Sequence, residues 1–123
     1  MLSRDGLEID MARLIENIGS EAFQRHTILF QESEIILKLR FLPGVQQWFF
    51  DAEYKDFAIK GKRLAVGTLH MQSSNQPFDF VVVDNSGSEL DPFRVDDFEL
   101  ERSSLILLEP EDMEDIRGVS VQI

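Results

Sequence analysis

Seven carboxylates crowd the stretch "VVVDNSGSELDPFRVDDFELE" (81–101): Asp84, Glu89, Asp91, Asp96, Asp97, Glu99 and Glu101, against the single base Arg94. Side chains of this type could ligate a hard cation, work as an acid and base pair, or meet a protein partner. A helix-flanked calcium loop needs oxygen ligands at positions 1, 3 and 5, Gly at 6 and Glu at 12. Counted from Asp84, "DNSGSELDPFRV" has Gly fourth and Val twelfth, and an apolar run precedes it. That pattern fails, which leaves an irregular oxygen site at Asp84, Asp91, Asp96 and Asp97. Glycoside chemistry needs two carboxylates facing each other across a cleft, and spacing along one loop does not supply that.

Other chemistries find less support. His26 and His70 each sit among apolar residues in expected strands, and no Gly-x-Ser-x-Gly elbow accompanies them. "HExxH" and "HxxEH" patterns are absent. The chain has no Cys, which excludes disulfides, thiolate metal sites and a thiol nucleophile. "GKRLAVG" lacks the Gly-Lys-Ser/Thr ending of a phosphate-binding loop. No catalytic residue and no cofactor are expected. The acidic stretch itself is rich in turn chemistry: Asp84 and Asn85 can bond their own backbone, Gly87 tolerates positive φ, and Asp91-Pro92 fixes a second bend.

The elements that must position this loop read mainly as strands. In "EIILKLRFL" (34–42), Leu37, Leu39 and Phe41 alternate with Lys38 and Arg40. "LPGVQ" (42–46) is a turn, and "QWFFDAEY" (47–54) alternates again, so the three make a hairpin. "HTILFQ" (26–31) is a further apolar segment, and "DFAIKGKRLAVGTLHM" (56–71) reads as short strands bent at Gly61 and Gly67. "FDFVVVD" (78–84) and "SLILLE" (104–109) are nearly continuous apolar runs and are expected to be central. "EPEDMEDIRG" (109–118) could hold a helical turn, and "VSVQI" (119–123) a last strand or a tail. At the N-terminus, Leu7, Met11, Leu14, Ile15 and Ile18 recur at helical spacing, with Asp5 and Glu8 at the start and Gly19 at the end. The expectation is an amphipathic helix over 7–18, its apolar face buried on its own domain or on a neighbouring subunit. The fold expected is mainly β, a small antiparallel barrel or sandwich with one N-terminal helix: a helical arm over 1–21 and one β domain over 22–123.

Charge narrows the partners. Residues 1–80 hold 11 acids and 9 bases, 81–101 hold 7 and 1, and 102–123 hold 5 and 2, which sums to a net charge of −11. An acidic last third argues against nucleic acid, whose binders concentrate Lys and Arg. It suits a basic protein partner or plain solubility. No run approaches the roughly 18 apolar residues that span a membrane, and "MLSRDGLEIDMARLIENI" is not a secretory signal, so synthesis in the cytoplasm is expected.

The order of features carries a resemblance. "WFFD" (48–51) is followed by Gly61, Leu64, Gly67 and Leu69, then "VVVDNSG" (81–87), "LDPFRVDDF" (90–98) and "SLILLE" (104–109). This resembles the baseplate plug proteins of contractile-tailed phages, of the cyanophage type, over about residues 23–109. The hairpin "LPGVQQW" and the "DDFELE" that replaces a Gly after the paired acids depart from the family pattern, and residues 7–18 lie outside the match. The resemblance implies a virion protein of the tail baseplate, made in a bacterial host. It would have no catalysis and would be present in several copies around the tail axis. Its partners would be hub, tail-tube or spike proteins. Within that reading, the expected contacts are Leu7, Met11, Leu14, Ile15 and Ile18 on the arm, and Asp91, Phe93, Asp96 and Asp97 on the loop.

Overall fold

A computed structural model describes residues 13–113. Seven strands run in chain order: β1 (Arg13–Leu14), β2 (Phe23–Phe30), β3 (Ser33–Leu42), β4 (Gln47–Tyr54), β5 (Phe57–Arg63), β6 (Asp79–Asp84) and β7 (Ser103–Leu108). They form two antiparallel sheets, β2-β3-β4-β5 and β1-β7-β6. Among the described residues the sheets do not close into a barrel. Of the two expected architectures, the open two-sheet form is the one present.

The period-two pattern accounts for the larger sheet. Ile35, Leu37, Leu39 and Phe41 of β3 and Trp48, Phe50, Ala52 and Tyr54 of β4 are buried, while their alternates face outward. From the smaller sheet, Phe80, Val82, Leu105 and Leu107 join the same core. Rings interlock edge to face across the core, Phe30 with Phe78, the residue before β6, at 5.5 Å and Phe50 with Phe80 at 5.6 Å. Burying each such side chain contributes roughly 1.5–3 kcal/mol. The hairpin turn at 43–46 closes with Gln46 N–H donating to Leu42 O at 2.7 Å. Gly61, with φ +70°, sits where the β4–β5 register shifts, and its N–H donates to Asp51 Oδ1 at 2.8 Å. That bulge is where the sequence suggested a bend.

Three expectations change. The helix over 7–18 is not formed in its described part. Arg13 and Leu14 pair with Leu107 and Ile106, and Ile15 N–H donates to Leu105 O at 2.9 Å. Asn17 takes φ 66° and Ile18 is in the core. A helix of about 12 residues is marginal alone, and β7 offers an unpaired edge whose backbone groups need partners. The spacing of Leu14, Ile15 and Ile18 serves an extended chain packed on that edge equally well. Leu7 and Met11 lie outside the described residues, as does 119–123. Second, β7 is central in its sheet, but β6 has a single parallel bridge on its other side, Val66 to Val82. Third, His70 lies in the turn-rich connection after β5 rather than in a strand. Residues 110–113 begin the expected helical turn.

Candidate functional site

The acidic connection between β6 and β7 folds over one end of the core. Val95 packs on the core, Phe98 is buried within it, and the Phe98 ring meets Trp48 edge to face at 5.5 Å. The Trp48 indole N–H donates to Arg94 O at 3.0 Å, so the largest fully buried side chain of β4 also anchors this loop.

Arg102, just beyond the acidic stretch, organises it. Its Nε and Nη2 donate to the two carboxylate oxygens of Asp97 at 2.9 and 2.8 Å, a bidentate pair. Nη2 also donates to Asp91 O at 3.0 Å. Nη1 lies 3.1 Å from Asp84 Oδ2 in an ion-pair contact that is not a well-aligned hydrogen bond. The guanidinium covers the Phe93 ring at 4.8 Å, and Arg94 stands 5.2 Å from the same ring.

Three of the carboxylates, Asp84, Asp91 and Asp97, are occupied by this framework. Asp84 accepts from Ser86 Oγ at 2.6 Å, Ser86 N–H at 2.9 Å and Leu90 N–H at 2.8 Å, which fixes the turn that Asp84, Asn85 and Gly87 announce in the sequence. The Ser86 hydroxyl, then the Leu90 amide, holds the Asp84 carboxyl down to about 2. Asp97 accepts from Phe93 N–H and Arg94 N–H, both at 2.8 Å. Burial alone would raise its pKa, but Arg102 and these amides outweigh it and the net shift is downward. Asp91 accepts from Val66 N–H at 2.8 Å and pairs with Arg63 at 2.7 Å, tying the loop to the end of β5. Asp96 is half-buried, and its carbonyl accepts from Leu100 N–H.

The four expected acids therefore share a loop but not a point. Among the described residues no three carboxylates or imidazoles converge as a metal site requires. A cation at Asp84 or Asp97 would have to displace arginine and amide donors. His70 is likewise engaged: Ala65 N–H donates to Nε2 at 2.9 Å, which assigns the proton to Nδ1, donated to Phe80 O at 2.8 Å. His26 Nε2 lies 3.1 Å from Gln24 Oε1, and burial lowers its pKa.

Leu14, Ile15 and Ile18, expected as partner contacts, differ in setting: Leu14 is 53% exposed, Ile15 packs against the core and Ile18 is inside it. They line a cleft of about 580 Å³ together with Phe98, Glu99 and Glu101. Sequence reasoning missed Arg102, whose only signal was its place directly after the acidic run. It also missed Asp79, buried in β6 and accepting from Met71 N–H at 2.8 Å and Phe80 N–H at 2.7 Å. Compared with known proteins, the chain matches no family model and no curated sequence.

Proposed function

We infer that this protein is a non-enzymatic structural component of a phage tail baseplate, a plug-type subunit near the central hub and the end of the tail tube. It works by packing against hub, tail-tube or spike proteins, in several copies around the tail axis. The observation that carries this reading is the ordered resemblance over 23–109, from "WFFD" through "VVVDNSG" and "LDPFRVDDF" to "SLILLE". The geometry of the acidic loop supports it from another side. Asp84, Asp91 and Asp97 hold backbone and arginine donors, an arrangement suited to a fixed surface shape rather than to proton transfer.

The reading frames flanking the gene test the proposal at little effort. They are expected to encode tail-tube, hub or spike proteins, and a neighbourhood of unrelated metabolic enzymes would overturn it. The competing view, a small cation-binding module at Asp84, Asp91, Asp96 and Asp97, is tested by calorimetric titration with calcium. No stoichiometric binding is expected. Stoichiometric heat abolished by Asp96→Asn with Asp97→Asn would replace the baseplate reading with the cation one.

A further inference from the structure

The outer face of the four-stranded sheet gathers charge from three parts of the sequence. Strand register sets Phe23 opposite Arg40, Arg40 opposite Phe49, and Phe49 opposite Arg63. With strands about 4.8 Å apart, this row of alternating aromatics and arginines spans roughly 14 Å. The next row is Arg25, Lys38 and Asp51. These two rows hold four bases and one acid, with Glu34 and Glu53 further along the same face, in a chain of net charge −11. Arg40 is engaged by Asp51 at 3.0 Å and Arg63 by Asp91 at 2.7 Å. Arg25 and Lys38 form no ion pair with a described residue, and beside them Phe23 is 61% exposed. An exposed ring flanked by two uncommitted cations on a sheet face is a docking corner for something acidic and apolar together.

The same chain carries that complement. Asp84, Asp91 and Asp97 are turned to the loop's own framework, but Glu89, Glu99 and Glu101 are exposed. They flank Leu90 and Leu100, which are 50% and 70% exposed. We propose that a second copy of this chain docks its acidic loop, through Leu90, Glu99, Leu100 and Glu101, on the corner formed by Phe23, Arg25 and Lys38. The apolar tips meet the phenyl ring and the glutamates meet the two bases. Two different patches are joined, so the contact runs head to tail and builds a ring or a filament. The biological use of the contact rests on the assembly reading above; the contact itself rests on the two surfaces. Screening sets its conditions. At about 0.1 M salt the screening length is about 10 Å, so the local patches attract while the net charges are hidden from each other. Much higher salt weakens the contact, and much lower salt exposes the repulsion of two acidic molecules.

Sedimentation velocity of the full chain at about 0.1 M salt tests this with complementary charge swaps. One variant carries Arg25→Glu and Lys38→Glu, the other Glu99→Lys and Glu101→Lys, and circular dichroism checks that both stay folded. The wild type is expected to self-associate with rising concentration. Each variant alone should lose at least about tenfold in association. An equimolar mixture should regain it, because each then meets its opposite. A wild type that stays monomeric throughout, or a sheet-face variant that associates like wild type, would overturn the proposal. So would a corner that binds single-stranded nucleic acid, lost in Arg25→Glu with Lys38→Glu, in place of self-association. A monomeric result would leave binding to separately purified tail proteins untouched, so it would not overturn the baseplate reading.

Discussion

Replacing Arg102 with alanine removes the one cation that holds three parts of the acidic loop together. The side chain is 20% exposed, and the carboxylates it faces at Asp84 and Asp97 are 1% and 3% exposed. Breaking a buried pair by deleting one partner costs about 3–5 kcal/mol when the survivor is left alone. Asp97 is not left alone, since the amides of Phe93 and Arg94 still donate to it. The expected loss is therefore near the lower end, about 3 kcal/mol, or roughly 12 °C in Tm for a domain of this size. Arg63→Ala is the control. Its pair with Asp91 is 44% and 38% exposed, so its loss should stay under about 1 kcal/mol. Urea unfolding followed by far-UV circular dichroism measures both. Trp48, the sole tryptophan, adds a local reporter because its indole N–H holds Arg94 O. In Arg102→Ala its fluorescence transition should precede the loss of sheet. Asp97 is held below the ordinary carboxylate value, so wild-type stability falls as pH drops below about 4. That slope should flatten in the variant, while the share of Asp84 persists through its Ser86 bond. A loss under about 1 kcal/mol, with coincident transitions, would refute the claim that Arg102 organises the loop.

Asp79 predicts the opposite pH behaviour. Burial raises its pKa despite bonds from Phe80 and Met71, so the unfolded chain gives up this proton first and stability falls as pH rises above about 4. Asp79→Asn keeps an oxygen for both amides, and its denaturation midpoint should lose that dependence; an unchanged slope would contradict the assignment. In the β2–β3 turn, Gln31 and Glu32 take φ 50° and 66°, the geometry that Asn-Gly prefers. Gln31→Asn with Glu32→Gly should stabilise by about 1 kcal/mol in urea melts, and destabilisation would argue against that turn. Gly61→Ala meets no atom but must hold φ +70°, a cost of about 1 kcal/mol, whereas Gly44→Ala is also unobstructed and should be near neutral. Thermal melts of the pair test this, and equal losses would remove the backbone argument.

Much of the sheet framework was legible because alternation is hard to mistake. Leu37, Leu39 and Phe41 against Lys38 and Arg40, closed by Pro43-Gly44, define both strands and their turn, and the β3–β4 pairing follows. The N-terminal segment was not legible, since Leu14, Ile15 and Ile18 fit a helical face and an extended chain alike. The choice was made by the open edge of β7, a tertiary fact absent from local spacing. In the loop, Asp84, Asn85, Gly87 and Asp91-Pro92 disclosed the turns. What they did not disclose is that one arginine reaches Asp84, Asp91 and Asp97 together, because that convergence depends on how the folded loop brings these residues round to Arg102, just before β7. His70 was misplaced for a related reason: its apolar neighbours imply burial, which a connection packed edge-on to Phe50 satisfies as well as a strand.

Quantitative mass spectrometry of purified tail particles tests the central claim most directly. A baseplate subunit should co-purify with the tail-tube and hub proteins in a fixed copy ratio that survives high-salt washing and further gradient purification. Its absence from intact particles, with the protein recovered only in the soluble fraction of the producing cells, would contradict the account.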